Sequence, residues 1–328
     1  MVKKLLFLFL VATTFQVCSS NDPKPSSLYV STLSWEQQLI RVKPMNDTIS
    51  SVFIRDYQLF HERWDTLAQP LFWKRIMTMS PDSCVINVAA TRKILATMAL
   101  KDWNIMSDSE KDAYKDILRE ANSLPSDERI FMTTGKSDFY QFDKVLPDVA
   151  RGVQLFKQHG IDPWFAQAIL MIESPGALRK SNAGAMGAFQ LMPGVARSHG
   201  LRVDKYVDER KDFDKSAAGA ISLIENTCLP YARKILDEHE LVYHEHSLWF
   251  RLFTLHIYHA GASNVAKVMN AIQPKEGGVW LLQKMWSTSA ANFRNASQNY
   301  SQLALAAMLI LDEKLLLECE EIEFGVGI

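Results

Sequence analysis

A mainly α-helical protein is the expectation, and three observations lead to it. Apolar residues recur at helical spacing through most of the 328-residue chain. Helix-capping residues stand at the edges of those segments. No alternating apolar and polar run is long enough to define a strand. Hydrophobic residues make up 48% of the chain and charged residues 22%, enough apolar material for a sizeable core. With 36 basic and 37 acidic side chains the formal charge is −1. That balance excludes a basic nucleic-acid surface and generic electrostatic capture of an anionic polymer.

The N-terminus reads as an export signal over residues 1–19. Lys3 and Lys4 form a positive start and Leu5–Ala12 an apolar run. The run is far short of the ~20 residues that span a bilayer. Two processing readings stand side by side. Cys18, followed by Ser19-Ser20-Asn21-Asp22-Pro23, fits a lipoprotein signal ending before an acylated cysteine; ordinary cleavage after Ser19 or Ser20 fits the non-small Val17 better. Three cysteines remain, Cys84, Cys228 and Cys319. They allow at most one bridge, lack CxxC spacing, and read as small buried apolar residues.

Residues 27–140 read as a helical N-terminal region of unknown role. Ile54–Trp64, Val85–Ala99 and Glu110–Ala121 are its helix candidates. Ser107 and Glu110 form a capping box at the start of the third. Trp35, Trp64, Trp73 and Trp103 are assigned to a core rather than to a sugar-stacking surface. Ser123–Glu128 is a turn or short linker.

A second region, 143–325, carries tighter patterning. Val145–His159 is expected to be a helix ended by Gly160. Asp162 then caps a helix with Pro163 at its first position, and Pro175-Gly176 stops it. Further helices are expected near Asp214–Asn226, Ser247–Ala260, Asn264–Met269 and Tyr300–Glu318, and Pro193 can open another.

The candidate chemistry lies on these helices. Phe165, Ile169 and Ile172 share one helix face, and Glu173 lies near its edge in the last helical turn. Apolar surroundings and the negative end of the helix dipole both raise the pKa of such a carboxyl, as a general acid near neutral pH requires. Gly184-Ala185-Met186-Gly187-Ala188-Phe189-Gln190-Leu191-Met192-Pro193 follows ten residues later. Its glycines mark a tight turn or a close approach, and Gln190 offers an amide suited to hydroxyl or N-acetyl groups. The third piece is Tyr258-His259-Ala260-Gly261.

Together these pieces resemble the lytic transglycosylase domain of the soluble-transglycosylase family, over roughly residues 143–275. Val207-Asp208-Glu209-Arg210-Lys211-Asp212 and Ser216-Ala217-Ala218 resemble, more narrowly, the membrane-bound murein transglycosylase D subgroup. The resemblance implies a lysozyme-like, goose-type helical domain and a carbon–oxygen lyase similar to glycoside hydrolase family 23. It implies cleavage of the β-1,4 bond between N-acetylmuramic acid and N-acetylglucosamine in peptidoglycan, leaving a 1,6-anhydro end. Glu173 would serve as acid and then as base; Ser174, Met186, Gly187, Phe189, Gln190, Tyr258 and His259 would contact substrate. The family usually has Asn where this chain has His259, which adds a group that titrates near pH 6–7.

No cofactor is implied. The histidines miss HExxH spacing, so no metal site is expected. Asp204, Asp208, Glu209, Asp212 and Asp214 could supply a second acid but read as caps and salt bridges. Two alternatives to a transglycosylase remain: a hydrolytic muramidase on the same scaffold, and a catalytically silent glycan-binding envelope protein. The expected partners are glycan strands, a lipid anchor if Cys18 is acylated, and envelope proteins bound through the N-terminal region. The expected location is the bacterial periplasm or the outer membrane.

Overall fold

The computed structural model describes residues 33–44, 50–173, 181 and 183–324. The export signal, Cys18, Ser174 and Pro175-Gly176 lie outside them. In chain order the elements are β1 (Leu39–Pro44), β2 (Ser51–Ile54), α1 (Gln58–His61), α2 (Ala68–Thr78), β3 (Ser83–Val88), β4 (Ile94–Ala99), α3 (Leu100–Ile105), α4 (Asp108–Ala121) and β5 (Ile130–Thr134). Then follow α5 (Phe142–Gln158), α6 (Trp164–Glu173), α7 (Pro193–Ser198), α8 (Phe213–Leu223), α9 (Leu229–Glu238), α10 (Leu248–Ala260), α11 (Ala262–Ile272), α12 (Val279–Ser287), α13 (Asn295–Glu318) and β6 (Cys319–Phe324). Helix predominates, as expected.

The N-terminal region departs from the helical expectation. It holds five strands, and Val85–Ala99 is a β-hairpin. β3 lies between β4 and β5, antiparallel to both. Its side chains alternate between two apolar environments: Val85 enters the main core, while Cys84 and Ile86 enter a smaller cluster with Trp103, Leu118 and Ile130. A strand buried on both faces loses the polar alternation that would have marked it. Ile54–Trp64 is likewise not one helix; it comprises the end of β2, the four-residue α1 and the start of a 3-10 turn, Trp64–Thr66. β1 pairs with β2 and with the C-terminal β6, so the two ends of the described chain share a sheet.

Several local expectations hold. Ser107 accepts from the Glu110 amide while the Glu110 carboxylate accepts from the Ser107 amide at 2.7 Å. Asp162 accepts from the Trp164 amide, Pro193 opens α7, and Gly160 takes a left-handed φ of 69° after α5. Trp64, Trp73 and Trp103 are buried, and Trp35 packs against the core. Cys84 and Cys228 are buried free thiols.

α6 is the central helix. Every residue from Trp164 to Ile172 is buried, so it has no wet face, contrary to the one-sided stripe read from Phe165, Ile169 and Ile172. Gly152 on α5 lets α6 come close: a Cβ there would lie 2.6 Å from Leu170 Cδ1. Gln167, the one polar side chain before Glu173, accepts from the Ile54 amide and donates to the Ile54 carbonyl.

A buried ionic network ties the N-terminal strands to this helix. Arg251 on α10 is fully buried. It donates to Asp162 Oδ2 at 2.8 Å, to Gln38 Oε1 at 2.8 Å and to Asp56 Oδ2 at 3.1 Å. Gln58 accepts from the Leu248 amide and donates to the His246 carbonyl. One apolar core therefore runs from β1 through α13. Among the described residues, no helix is long and apolar enough to cross a membrane.

Candidate active site

Glu173 is the last described residue of α6. Packing around α6 leaves the Glu173 side chain half-buried at its end, and this burial pushes its pKa from 4.5 up to about 7. One influence opposes that shift. Tyr300 on α13 donates its hydroxyl to Glu173 Oε1 at 2.8 Å, which favours the carboxylate. Among the described residues no second carboxylate is a cause of the shift.

Three tyrosines surround the acid electrostatically. Tyr258 on α10, Tyr300 on α13 and Tyr140 just before α5 are all held above the usual phenol range, first by burial and then by the charge on Glu173. They remain neutral. Tyr258 donates to the Phe189 carbonyl at 2.6 Å and so joins α10 to the glycine-rich segment. The ring of His259 lies against that of Tyr300, with centroids 4.3 Å apart and planes 29° apart. Burial lowers its pKa from 6.5 to about 4, so it is neutral where the sequence suggested a titrating group.

The glycine-rich segment is built around Arg210. Met186 and Leu191 exchange backbone hydrogen bonds, closing a turn. Arg210 donates one nitrogen to the carbonyls of Gly184 and Leu191, at 2.9 and 2.8 Å, and is clamped by both oxygens of Asp208. Gly187 has φ 86°, and a Cβ there would sit 1.7 Å from the Arg210 carbonyl oxygen. Its need for glycine is thus met by protein backbone. A Gly187→Ala variant is expected to lose about 2–5 kcal/mol, from a left-handed backbone and overpacking together. A thermal unfolding midpoint equal to wild type would contradict this close approach.

Phe189 corrects another expectation. Its side chain is fully buried, stacked on Phe156 at 5.7 Å and tilted against Phe213 at 5.9 Å. The ring is core, and only the carbonyl reaches the site through Tyr258. Gln190, at φ 47°, turns its amide back to the Gly187 carbonyl at 2.9 Å. Met186 is half-buried beside it. Ser174 lies outside the described residues.

The acids of the 204–214 block are all engaged elsewhere. Asp204 pairs with Arg202 and accepts from the Tyr206 and Val207 amides, which pulls its pKa down to about 2. Glu209 pairs with Lys215, Asp214 with Arg151, and Asp212 caps α8 through the Lys215 amide. Among the described residues no group of three His, Cys, Asp or Glu side chains could hold a metal ion.

Tyr300 and Tyr140 are the residues that sequence reasoning missed. Tyr300 was read only as a helix start, since nothing near it in sequence ties it to an acid 127 positions away. The arrangement offers a near-neutral carboxyl that can give and take a proton, held by a fixed neutral donor. Residues 154–281 match the family model described as Transglycosylase SLT domain. The match takes in Glu173, the glycine-rich segment and Tyr258-His259, and ends before Tyr300. No curated protein matches the chain.

Proposed function

We propose that the chain is a lytic transglycosylase acting on peptidoglycan and that Glu173 is its single general acid and base; the match of residues 154–281 to the Transglycosylase SLT domain and the mainly helical, lysozyme-like fold support this reading. One observation carries this reading: the Glu173 carboxyl sits at about pKa 7 and accepts from Tyr300. At neutral pH about half the molecules hold the proton that a leaving glycosidic oxygen needs.

Protonated Glu173 gives that proton to the oxygen between N-acetylmuramic acid and N-acetylglucosamine as the C1–O bond breaks. The N-acetyl group of the substrate shields the oxocarbenium-like centre. The resulting carboxylate then takes the proton of the sugar's own 6-hydroxyl, whose oxygen closes on C1. The product is a 1,6-anhydro end, no water is consumed, and the acid is regenerated. Tyr300 is a donor that steadies the carboxylate between the two steps. Met186, Gly187, Gln190, Tyr258 and Ser174 belong to the sugar-binding side in this reading, Gly187 and Phe189 through backbone rather than side chain. The Val207–Asp212 block supports assignment to the murein transglycosylase D subgroup. Export to the periplasm or outer membrane, acylation of Cys18 and envelope partners at the N-terminal region belong to the same proposal.

Digestion of purified peptidoglycan by wild type and by Glu173→Gln, read by mass spectrometry, tests it. Anhydro-muropeptides from wild type that vanish in the variant are expected. Reducing ends instead would mean a hydrolytic muramidase and a second carboxylate. Glycan binding without products from either protein would mean a silent binding protein.

A further inference from the structure

His259 lies one residue after Tyr258, on the helix turn that faces α13, yet its ring is used on Tyr300 and not on the acid. The two rings are stacked, 4.3 Å between centroids. Among the described residues the Tyr300 hydroxyl donates only to Glu173 Oε1, and a small change in its χ angles would take it off that oxygen. Tyr300 is buried in the core, and the flat His259 ring lying on its face is one of the contacts that limit that rotation.

From this geometry we infer that His259 is a positioning residue: by stacking on Tyr300 it holds the Tyr300 hydroxyl on Glu173 and thereby sets the pH range over which Glu173 works. The inference rests on Glu173 as the acid. His259 itself touches neither the carboxyl nor a reacting atom. It acts as a neutral plate, because a positive ring this near would draw the Glu173 proton off at lower pH. Among the described residues, the other titratable groups around the acid and the stack are Tyr258 and His256 on α10, Tyr140 before α5 and Cys228 between α8 and α9. Burial keeps His256 neutral, at about 3, and holds the Cys228 thiol up at about 12, so none of them titrates with Glu173 near neutral pH.

The Tyr300 hydrogen bond favours the carboxylate. Loosening it raises the Glu173 pKa, and the alkaline limb of kcat/KM, where the acid loses its proton, moves to higher pH. The test compares His259→Ala, His259→Phe, Tyr300→Phe and the His259→Ala/Tyr300→Phe double variant, with Glu173→Gln alongside. Release of anhydro ends from purified peptidoglycan is followed from pH 4 to pH 9. Tyr300→Phe and His259→Ala are each expected to move the limb up by about one pH unit, the worth of a hydrogen bond to a charged group. Each should also lower kcat about tenfold, and the double variant should shift no further than Tyr300→Phe. His259→Phe, which keeps a flat ring, is expected to bring the limb back to the wild-type position.

A limb that stays at the wild-type pH in His259→Ala overturns the inference. So does a His259→Phe variant that raises KM with no recovery, which would make His259 a sugar contact. Retained activity in Glu173→Gln is a different failure, because it removes the acid itself, whatever His259 does.

Discussion

Glu173→Gln is expected to be a more stable protein than wild type above pH 7 as well as an inactive one. The carboxyl has a folded pKa of about 7 against an ordinary 4.5. Below pH 4.5 it is protonated in both folded and unfolded chains and makes no difference. As pH rises past 4.5 the unfolded chain releases the proton and is stabilised, while the folded chain holds it until about pH 7. Stability is therefore lost across that window, by at most about 3 kcal/mol for a shift of this size, and less if water reaches the half-buried side chain. Gln keeps an oxygen for Tyr300 and has no charge to bury. Urea midpoints measured at pH 4.5 and pH 8 should show a gap between variant and wild type that is small at the first and widens by the second. A gap of the same size at both would mean that the acid is not desolvated. The same substitution should cost about 10²–10⁴ in rate, the usual worth of a positioned proton donor.

The second large effect is structural. Arg251 is expected to be the most destabilising of the single charged residues to remove. It is fully buried, and its partner Asp56 is 3% exposed. Burial already raises the Asp56 pKa, with Arg251 pulling the other way. Arg251→Met leaves Asp56 and Asp162 facing each other without a cation, at a cost of about 3–5 kcal/mol. Adding Asp56→Asn and Asp162→Asn should recover a large part, because the penalty comes from the uncompensated charges and not from the missing pair. Denaturant unfolding of the single and triple variants decides it. Equal stability of wild type and Arg251→Met would mean that the network does not join the N-terminal strands to α6 and α10.

The network explains why the site is not confined to the stretch matched by the family model. Residues 154–281 hold the acid, the glycine-rich turn and Tyr258. The first turn of α6 is anchored through Asp162 and Arg251 to Gln38 and Asp56, and the acid at its other end meets a hydroxyl from α13. Residues on both sides of the matched stretch thus bear on the position of Glu173.

The chain by itself determined what depends on near neighbours. Ser107 with Glu110, Asp162 before Pro163, Pro193 and Gly160 set helix ends through bonds or backbone angles spanning a few residues, and these appear where the sequence places them. The acid at the end of α6 and the engagement of Asp204–Asp214 in caps and ion pairs were legible for the same reason. Only the tertiary structure decided the rest. β3 is a strand because β5, more than forty residues on, pairs with it, and β1 because β6 comes back from the far end of the chain. A short apolar run states that it will be buried but not by which partner. Phe189 turned from cleft wall to core because Phe156 and Phe213 close over it. The proton affinity of Glu173 is raised by burial and held back by the neutral hydroxyl of Tyr300, and desolvation belongs to the packing of the whole chain, not to any segment of sequence.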